Sequence, residues 1–270
     1  MAKVWFITGS SRGFGRHWTE AALERGDSVA ATARSPDTLS DLVATYGERV
    51  LPLALDVNDR AADFEAVKQA HEHFGRLDVV VNNAGYGLFG TIEEVSEEQA
   101  RAQIETNLFG ALWVTQAAVP ILREQRAGHI IQVSSIGGLA SFPGLGLYNA
   151  SKWALEGFSE ALAAELAPFG VHVTLLEPQS FDTDWAGSAA VHAEHMDIYE
   201  DIWERRRRGG ATPNASSEAT REAILEIVDS PDPPLRVLFG AQALPIIKER
   251  YSQRLELWEH WNELAVKAGG

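Results

Sequence analysis

Three residues near the middle of the chain have the types and the spacing needed to move a proton at a carbonyl oxygen. Tyr148 and Lys152 are four residues apart, which places both side chains on one face of a predicted helix. Ser135 precedes Tyr148 by thirteen residues and follows a predicted strand. A tyrosine with a pKa of about 10 is a weak base near neutrality, and a nearby ammonium favours its charged form. We therefore predict Tyr148 as the general acid or base, and Ser135 as the hydrogen-bond partner of the substrate oxygen. The adjacent Ser134 is the alternative, but the distance to Tyr148 favours Ser135.

A glycine-rich turn follows the first predicted strand and opens the first predicted helix. Its sequence is Thr8-Gly9-Ser10-Ser11-Arg12-Gly13-Phe14-Gly15. Glycines at such a place permit a tight turn, let the backbone approach a pyrophosphate and allow the helix to pack closely on the strand. The helix N-terminus adds free N–H groups and a positive dipole. The position of the turn therefore predicts a dinucleotide site, with contacts from Gly9, Ser11, Arg12, Gly13, Phe14 and Gly15.

The elements that must position these residues alternate along the first two-thirds of the chain. Apolar runs predict strands at 4–7, 28–33, 50–55, 77–81, 129–133 and 171–176. Helical patterns lie between them at 14–25, 36–46, 60–74, 97–123 and 147–169, and Pro120 is expected to kink the fourth of these helices. This alternation predicts the α/β class, with a Rossmann-type, doubly wound parallel sheet that has helices on both faces. The 270 residues contain no evident linker, so we expect one domain over residues 1–270.

The last third of the chain is less regular. The 186–215 segment is long for a connection, and we expect it to cover the site as a lid, with helix-forming composition at 194–208. A helix at 216–228, a strand at 235–239 and a terminal helix at 242–267, interrupted near Pro245, complete the pattern. The terminal helix carries Trp258 and Trp261, and it caps a neighbouring subunit, covers the site or packs on its own core.

Taken together, the motifs resemble the short-chain dehydrogenase/reductase family, in its compact single-domain branch. The sequence Asn82-Asn83-Ala84-Gly85 follows the fourth predicted strand and adds to the glycine turn, the serine and the Tyr-x-x-x-Lys pair. The resemblance extends in order and spacing over residues 3–185. It implies an oxidoreductase that uses a nicotinamide dinucleotide. The further cofactor contacts that it implies are Asp56, Val57, Asn83, Ala84, Gly85, Tyr148, Lys152, Pro178 and Thr183.

The resemblance also implies roles for particular side chains. Asn107 matches the fourth catalytic residue of the family, which supports a water path to the lysine, and Lys152 would also hold the nicotinamide ribose. Gln179 departs from the family, which often has glycine after the proline, although Thr183 can still bind the carboxamide. The helices that carry Asn107 and Tyr148 often pair between subunits in relatives, which implies a homodimer or homotetramer by analogy.

The choice between the two dinucleotides follows from charge. An acidic residue at the end of the second strand would bind a ribose diol and repel a 2′-phosphate. The spacing places Ala33 there, with Arg34 after it and Arg12 in the glycine turn. Two guanidinium groups near one ribose suit a phosphate, so we predict NADP(H) over NAD(H). The alternative is that either arginine is simply exposed to solvent.

Substrate contacts are expected at the carboxyl ends of the fourth, fifth and sixth strands. The candidates there are Gly87, Leu88, Phe89, Ile136, Gly137, Leu139, Phe142, Leu145, Phe181 and Trp185, together with Ser135 and Tyr148. Most are apolar, which predicts a bulky, largely apolar ketone or secondary alcohol. The alternative is that several of them only close the core.

Composition excludes several other classes. A formal net charge of -15 argues against nucleic acid as a partner. No apolar run is long enough for a membrane span, and the start of the chain carries no secretory pattern, so we expect no membrane partner. Cysteine is absent, which permits a reducing compartment such as the cytoplasm, and the histidines show no metal pattern and are read as surface residues. The basic run 205–208 follows acidic residues and is either a solvated helix end with local ion pairs or a lid segment that binds an anion.

The sequence thus predicts an NADP(H)-dependent carbonyl reductase or alcohol dehydrogenase. One rival is an NADP(H)-binding sensor or regulatory protein on the same scaffold, which could dispense with a proton donor. A second rival is an epimerase or dehydratase of the sugar-nucleotide branch, which the spacing of the glycine turn and the lack of an obvious second domain disfavour. Direction, stereochemistry and the substrate itself are not determined by the sequence.

Overall fold

The computed structural model describes residues 2–183, 185, 187, 189–209 and 215–269. The strands are β1 (Val4–Ile7), β2 (Ser28–Ala33), β3 (Val50–Ala54), β4 (Val79–Asn82), β5 (Leu88–Phe89), β6 (Gly128–Val133), β7 (Val171–Pro178), β8 (Val191–His192) and β9 (Arg236–Phe239). The α-helices are α1 (Gly13–Glu24), α2 (Ser40–Tyr46), α3 (Arg60–Phe74), α4 (Glu97–Ile104), α5 (Ala111–Gln125), α6 (Gly146–Leu166), α7 (Glu200–Gly209), α8 (Thr220–Asp229), α9 (Ala243–His260) and α10 (Asn262–Ala268).

Seven parallel strands form one sheet in the order β3-β2-β1-β4-β6-β7-β9. Helices α3, α5 and α6 pack on one face, and α1, α2 and α8 pack on the other. The short strand β1 shows why the sheet is apolar on both faces, since Phe6 faces the first set of helices and Trp5 and Ile7 face the second. The predicted doubly wound parallel sheet is confirmed.

The order of the strands reverses between β1 and β4, which lie side by side in the sheet. Consecutive connections run outward from this pair in opposite directions, so a crevice opens where their carboxyl ends meet. A backbone hydrogen bond of 3.0 Å from Thr8 N–H to the Val81 carbonyl joins the two ends. The glycine turn follows β1 and the Asn82-Asn83-Ala84-Gly85 sequence begins at the end of β4, so both motifs lie at this crevice.

The helix predicted at 97–123 is interrupted in a way that the sequence pattern does not indicate. Helix α4 passes into a π-helical segment, Glu105–Gly110, before α5 begins. Pro120 lies inside α5 and does not end it. The π-helical segment carries Asn107, so the irregularity falls on a predicted catalytic residue.

The terminal helix also breaks elsewhere than expected. Pro245 lies in the first turn of α9, where its missing N–H has no helical partner to lose. The break instead falls at Trp261, between α9 and α10. Among the described helices, none combines the length and the apolar character that a membrane span requires.

The predicted lid segment contains a small parallel pair and one helix. Strand β8 pairs with β5, with Leu88 opposite Val191 and Phe89 opposite His192. Helix α7 then occupies the later part of the stretch predicted as helical at 194–208. Residues 186, 188 and 210–214 of the predicted 186–215 lid lie outside the described residues, and so does Asp184 just before it.

Candidate active site

The carboxyl end of β6 lies beside three predicted catalytic side chains, those of Ser135, Tyr148 and Lys152. Ser135 follows that strand by two residues, and α6 carries the other two side chains on its buried face. Lys152 Nζ donates a hydrogen bond of 2.7 Å to the carbonyl of Val133, the last residue of β6. The same ammonium lies 5.9 Å from the centre of the Tyr148 ring. The strand end and the helix are therefore connected through the proposed proton-transfer group itself.

Ser135, and not Ser134, is the serine that contacts the tyrosine. The Ser135 hydroxyl hydrogen-bonds with Tyr148, accepts from Gly137 N–H at 3.0 Å and donates to the Pro178 carbonyl at 3.4 Å. Ser134 is buried and faces Glu156 instead. A Cβ on Gly138 would lie only 2.7 Å from Ser134 Oγ.

Burial dominates the protonation of both groups. It raises the pKa of Tyr148 to about 12, and the hydrogen bond with Ser135 opposes that rise only in part. It also lowers the pKa of Lys152 to about 8, against the attraction of the Glu156 carboxylate. We expected the ammonium to lower the pKa of the phenol, but the loss of solvation is the larger effect on that pKa. The tyrosine therefore keeps its proton throughout the neutral range.

Asn107 is held by the backbone of one residue. Its Oδ1 accepts from Tyr86 N–H at 3.1 Å and its Nδ2 donates to the Tyr86 carbonyl at 3.0 Å. The π-helical segment around Asn107 widens the helix at this turn. Gly85 completes the contact, since a Cβ there would lie 3.0 Å from Asn107 Oδ1 and 3.8 Å from Lys152 Nζ. Both side chains therefore lie near Gly85, and the catalytic role of Asn107 stays a prediction.

The glycine turn is shaped by close contacts that exclude larger side chains. Gly9 and Gly13 have φ angles of +70° and +55°, in the left-handed region. A Cβ on Gly15 would lie 2.3 Å from the Gly9 carbonyl oxygen and 2.5 Å from Asn83 Nδ2. Asn83 Nδ2 in turn donates to the carbonyls of Thr8 and Gly9, at 2.8 and 3.2 Å. Asn83 therefore holds the turn, which explains why the motif after β4 accompanies the glycines.

Helix α1 begins at this turn with its first N–H groups directed to the crevice end of the sheet. Its N-cap residue, Arg12, is extended, and within α1 itself, all of it described, the first turn has no acidic residue. The Thr8 hydroxyl accepts from the N–H groups of Asn83 and Ala84, both at 2.9 Å. Phe14 turns away from the turn and stacks on Trp18 with ring centres 5.1 Å apart.

The residues predicted to surround the adenosine half of the cofactor lie at neighbouring strand ends. Arg34 follows β2 and is exposed, and Arg12 in the turn after β1 is exposed as well. Ser10 N–H donates to the Thr32 carbonyl at 2.8 Å, which brings the turn against the end of β2. Asp56 follows β3 and accepts from Asn58 N–H at 3.0 Å, and Val57 is buried against Gly110.

Beyond Pro178, Gln179 occupies the position where the family often has glycine. Its side chain packs over Gly240, whose φ is +98°, and its Oε1 accepts from Gln242 N–H at 2.7 Å. The departure therefore joins the end of β7 to the root of α9. Thr183 still reaches the glycine turn, since a Cβ on Gly13 would lie 3.5 Å from its side chain.

An apolar cluster covers Tyr148. Its buried members are Phe89, Leu145 and Tyr148, with Phe142, Trp185, Ala190 and Trp203 packed against them. The ring of Trp185 lies 4.8 Å from that of Tyr148 and 5.2 Å from that of Phe89. Phe181, predicted as a substrate contact, packs on Phe14 with ring centres 5.1 Å apart and is partly buried against the core beneath α1. Leu139 and Ile136 belong to a separate cluster with α9, which Phe142 also contacts.

Glu94 is a site residue that the sequence did not indicate. Its side chain is 1% exposed, and its carboxylate accepts from Met196 N–H at 2.9 Å, Thr91 N–H at 2.8 Å and Trp203 Nε1 at 3.1 Å. Burial alone would raise the pKa of Glu94, but these hydrogen bonds outweigh it and hold the pKa at about 2. This buried charge fixes α7 and the segment before it over the apolar cluster, through contacts with Met196 and Trp203, about a hundred positions along the chain.

A second buried acidic group lies behind Lys152. Arg236 Nε lies 3.0 Å from Glu156 and 3.6 Å from Glu177. Burial raises the pKa of Glu177 to about 8, with a further contribution from Glu156 and an opposing one from Arg236. Over the described part of the chain, no group of three or more acidic or histidine side chains is arranged to hold a metal ion.

Comparison with known proteins agrees with this geometry. Residues 3–193 match the short chain dehydrogenase family. The chain belongs to the short-chain dehydrogenase/reductase family. It is 44% identical to oxidoreductase BOA17 of Botryotinia fuckeliana, over 98% of this chain and 99% of that protein. It is 36% identical to 3-ketodihydrosphingosine reductase of Bacteroides thetaiotaomicron, over 88% of each. The resemblance that the motifs indicated is confirmed, and the protein is an oxidoreductase of this family.

Solved structures of the family extend the comparison to the C-terminal third. A short-chain dehydrogenase from Streptomyces avermitilis is 36% identical, with a TM-score of 0.93, over 99% of this chain and 98% of that one. A short-chain dehydrogenase from Burkholderia cenocepacia, 29% identical with a TM-score of 0.78 over 96% and 97%, was solved with NADP. One from Burkholderia phymatum, 26% identical with a TM-score of 0.83 over 95% of each, was solved with NAD.

Replacing Glu94 by Gln should loosen the cover over the site without unfolding the sheet. An amide keeps one acceptor oxygen but presents an NH2 group where N–H donors point, so at least one buried hydrogen bond is lost, at a cost of about 1–3 kcal/mol. Hydrogen exchange should therefore be at least tenfold faster at the Met196 amide and in α7, and unchanged in β1 and β4. Glu93→Gln is the matched control, since Glu93 is exposed and, among the described residues, accepts a side-chain hydrogen bond only from the Tyr199 hydroxyl. Equal exchange in the two variants would contradict the anchoring role.

Proposed function

We propose that this protein is an NADP(H)-dependent carbonyl reductase or alcohol dehydrogenase, with Tyr148 as the general acid or base. The observation that carries the proposal is the contact of three buried groups, Tyr148, Ser135 and Lys152, beneath an apolar cover. The substrate we propose is a bulky, largely apolar ketone or secondary alcohol. The 3-ketodihydrosphingosine reductase among the relatives is named for a ketone, which supports this substrate class.

The glycine turn fits a dinucleotide. Its backbone conformation requires glycine at two positions, and a Cβ on Gly15 would collide with the turn. Gly9, Ser11, Gly13 and the N-terminus of α1 would hold the pyrophosphate, and Lys152 the nicotinamide ribose. The bound nicotinamide supplies or accepts the hydride.

Each side chain has a defined task in this proposal. The Tyr148 hydroxyl donates its proton to the carbonyl oxygen as negative charge develops there, and takes it back in the reverse direction. The Ser135 hydroxyl donates a hydrogen bond to the same oxygen, after leaving the Pro178 carbonyl. Lys152 stabilises the phenolate that remains, and Asn107 supports the water path that returns the proton. Because burial raises its pKa to about 12, Tyr148 holds the proton that the donor role requires.

NADP(H) is the proposed cofactor because an arginine, Arg34, follows the end of β2 and a second one, Arg12, lies in the glycine turn. Ala33 occupies the position where an acidic residue would repel a 2′-phosphate, and Arg34 follows it. Relatives have been solved with either dinucleotide, so the family alone does not decide. Asp56 and Val57 would contact the adenine, and Pro178 and Thr183 the nicotinamide side.

Further parts of the proposal concern the whole chain. We propose one working domain, with the 186–215 segment as its substrate cover, and a homodimer or homotetramer as the assembly. A cytoplasmic location is proposed because a chain without cysteine needs no oxidising compartment. An NADP(H)-binding sensor is the alternative function. Such a protein would not need a proton-transfer group, so the presence of a complete one supports the enzyme.

Replacing Tyr148 by Phe should abolish turnover and leave cofactor binding intact. Loss of a general acid lowers kcat by roughly a hundredfold or more, while the ring keeps its contact with Trp185. NADPH oxidation with a panel of ketones and quinones measures the first, and NADPH fluorescence titration the second. Full turnover by the Phe variant on a true substrate would refute the mechanism. Tight NADPH binding by the natural protein, without turnover of any compound, would support the sensor.

Replacing Arg34 by Ala should weaken NADPH binding and spare NADH binding. Loss of a charge-assisted hydrogen bond to the 2′-phosphate corresponds to about tenfold in Kd. NADH lacks that phosphate and serves as the internal control on the same variant. Titration of both cofactors against both proteins gives the answer. The assignment fails if the natural protein prefers NADH, or if the Ala variant binds NADPH unchanged.

A further inference from the structure

Arg206 differs from its neighbours in the basic run of α7. Arg207 pairs with Glu200, and Arg208 pairs with Glu204 at 2.6 Å, both on the exposed side. Arg206 instead lies over the ring of Phe89, with its guanidinium carbon 4.8 Å from the ring centre, and is half-buried. Arg206 thus contacts the apolar cluster, while Arg207 and Arg208 form the local ion pairs that the sequence predicts.

The Arg206 charge is not balanced by a carboxylate of the described residues. Its one hydrogen bond, from Nη1 to the Pro143 carbonyl, is long at 3.5 Å. Burial lowers the pKa of Arg206 from its ordinary value, although a guanidinium stays charged at any pH of interest. A half-buried cation without a counter-charge is costly, and an incoming anion would reduce that cost.

A hydrogen-bond donor without an acceptor among the described residues belongs to Trp185, whose ring contacts the same Phe89 ring. Trp185 Nε1 is buried and finds no hydrogen-bond partner within the described part of the chain. The Trp185 ring contacts Phe89 on one side and Tyr148 on the other, with ring centres 5.2 and 4.8 Å apart. The Phe89 ring therefore contacts both the Arg206 guanidinium and the Trp185 ring. The Trp185 ring in turn contacts Tyr148, the proposed proton donor.

We propose that the substrate carries a carboxylate at the end remote from its carbonyl group, and that Arg206 binds this carboxylate. The proposal rests on the function proposed above and specifies its substrate class. Tyr148 would address the carbonyl, the rings of Trp185 and Phe89 would cover an apolar spacer, and the guanidinium would receive the anion. Glu94 accepts three hydrogen bonds from other donors and Glu204 pairs with Arg208, so neither carboxylate is the partner of Arg206.

Matched pairs of probes test the contact. NADPH oxidation is followed with para-acetylbenzoate and its methyl ester, and with alkyl oxo-acids of increasing length and their methyl esters. The natural protein should prefer the acids by about tenfold in kcat/KM. Arg206→Met should remove this preference mainly through KM. Arg208→Met removes the same charge from the exposed side of α7 and should keep it.

Calorimetric titration of the NADPH complex with the same acids and esters measures their binding affinity independently of turnover. The inference is overturned if acids and esters are equivalent for the natural protein in rate and binding, or if Arg206→Met retains the discrimination. Failure of the proposed function gives a different result: the acids bind, but no acid or ester supports NADPH oxidation.

A second, independent observation concerns the end of the chain. Every described residue from 255 to 269 is exposed. Large apolar side chains are among them, each more than half exposed: Leu255, Leu257, Trp258, Trp261, Leu264 and Val266. The root of α9 is anchored by the buried Ala243 and Ile247, and by Arg254 over the Trp153 ring at 4.9 Å. The final residues therefore form an arm, defined as residues 255–269, that leaves its apolar side chains uncovered.

The charges of the two terminal helices are arranged so that two copies complement each other. Lys248, Arg250 and Arg254 lie before the arm, and Glu256, Glu259 and Glu263 lie in it, with Glu249 and Lys267 as the exceptions. Two such helices side by side in antiparallel orientation place the basic half of one against the acidic half of the other. We infer that the arm pairs with the arm of a second copy of this chain, antiparallel, with the two-fold axis near Leu255.

The absence of cysteine allows a position-specific test. Residues 248 and 255 are seven apart on one face of α9, and residue 262, seven further on, is the first residue of α10. Leu255→Cys should cross-link to itself with a short bis-maleimide. Lys248→Cys and Asn262→Cys should each fail alone and cross-link when mixed. Gln69→Cys, on the exposed side of α3, measures random collision.

Self-linking of Lys248→Cys at least as strong as that of the mixture would overturn the antiparallel pairing, and so would the absence of all these links. In the latter case, co-sedimentation of the protein with phosphatidylcholine vesicles would assign the arm to a lipid surface instead.

Discussion

The hydrogen bond between the Lys152 ammonium and the Val133 carbonyl is the interaction on which the site depends. It is made inside the protein, where a charged donor contributes more than a neutral one and where an unpaired ammonium would be costly. It sets how deeply α6 lies against the end of β6, and hence where the Tyr148 hydroxyl meets Ser135. The same burial shifts the two pKa values in opposite directions, so that each group is drawn toward its neutral form.

Two further buried charges extend this arrangement outward. Glu94 holds α7 and the segment before it above the apolar cluster with hydrogen bonds that keep it ionised. Glu156 lies near Lys152 and is paired with Arg236. Neither carboxylate touches the reacting groups. Their effect is positional and electrostatic, because a carboxylate that is fully hydrogen-bonded gives rigidity and one facing an ammonium supports its charge.

The sequence predicts best where local rules and tertiary structure agree. The bounds of α3 match because Asp59 caps its start with two hydrogen bonds and Gly75 ends it in the left-handed conformation. The contact of Ser135, Tyr148 and Lys152 follows from parallel-sheet geometry. The π-helical segment at 105–110 could not be predicted, since its apolar pattern is that of an ordinary helix. The role of Glu94 depends on Met196 and Trp203, and no local pattern reveals contacts so distant in sequence. The packing of the Phe181 ring on Phe14 is likewise a contact distant in sequence that no local pattern indicates.

Gln179 makes the strand end beside the site and the root of α9 one structural unit. Its side chain fills the space over Gly240 and accepts from the first N–H before the helix. Any exchange of C-terminal segments with a relative that has glycine at this position would leave the incoming helix without its acceptor, or the resident side chain without its niche. Chimaeras designed to transplant substrate preference must therefore carry residues 179 and 240 together, because the Gln179 side chain fits only where residue 240 has no Cβ.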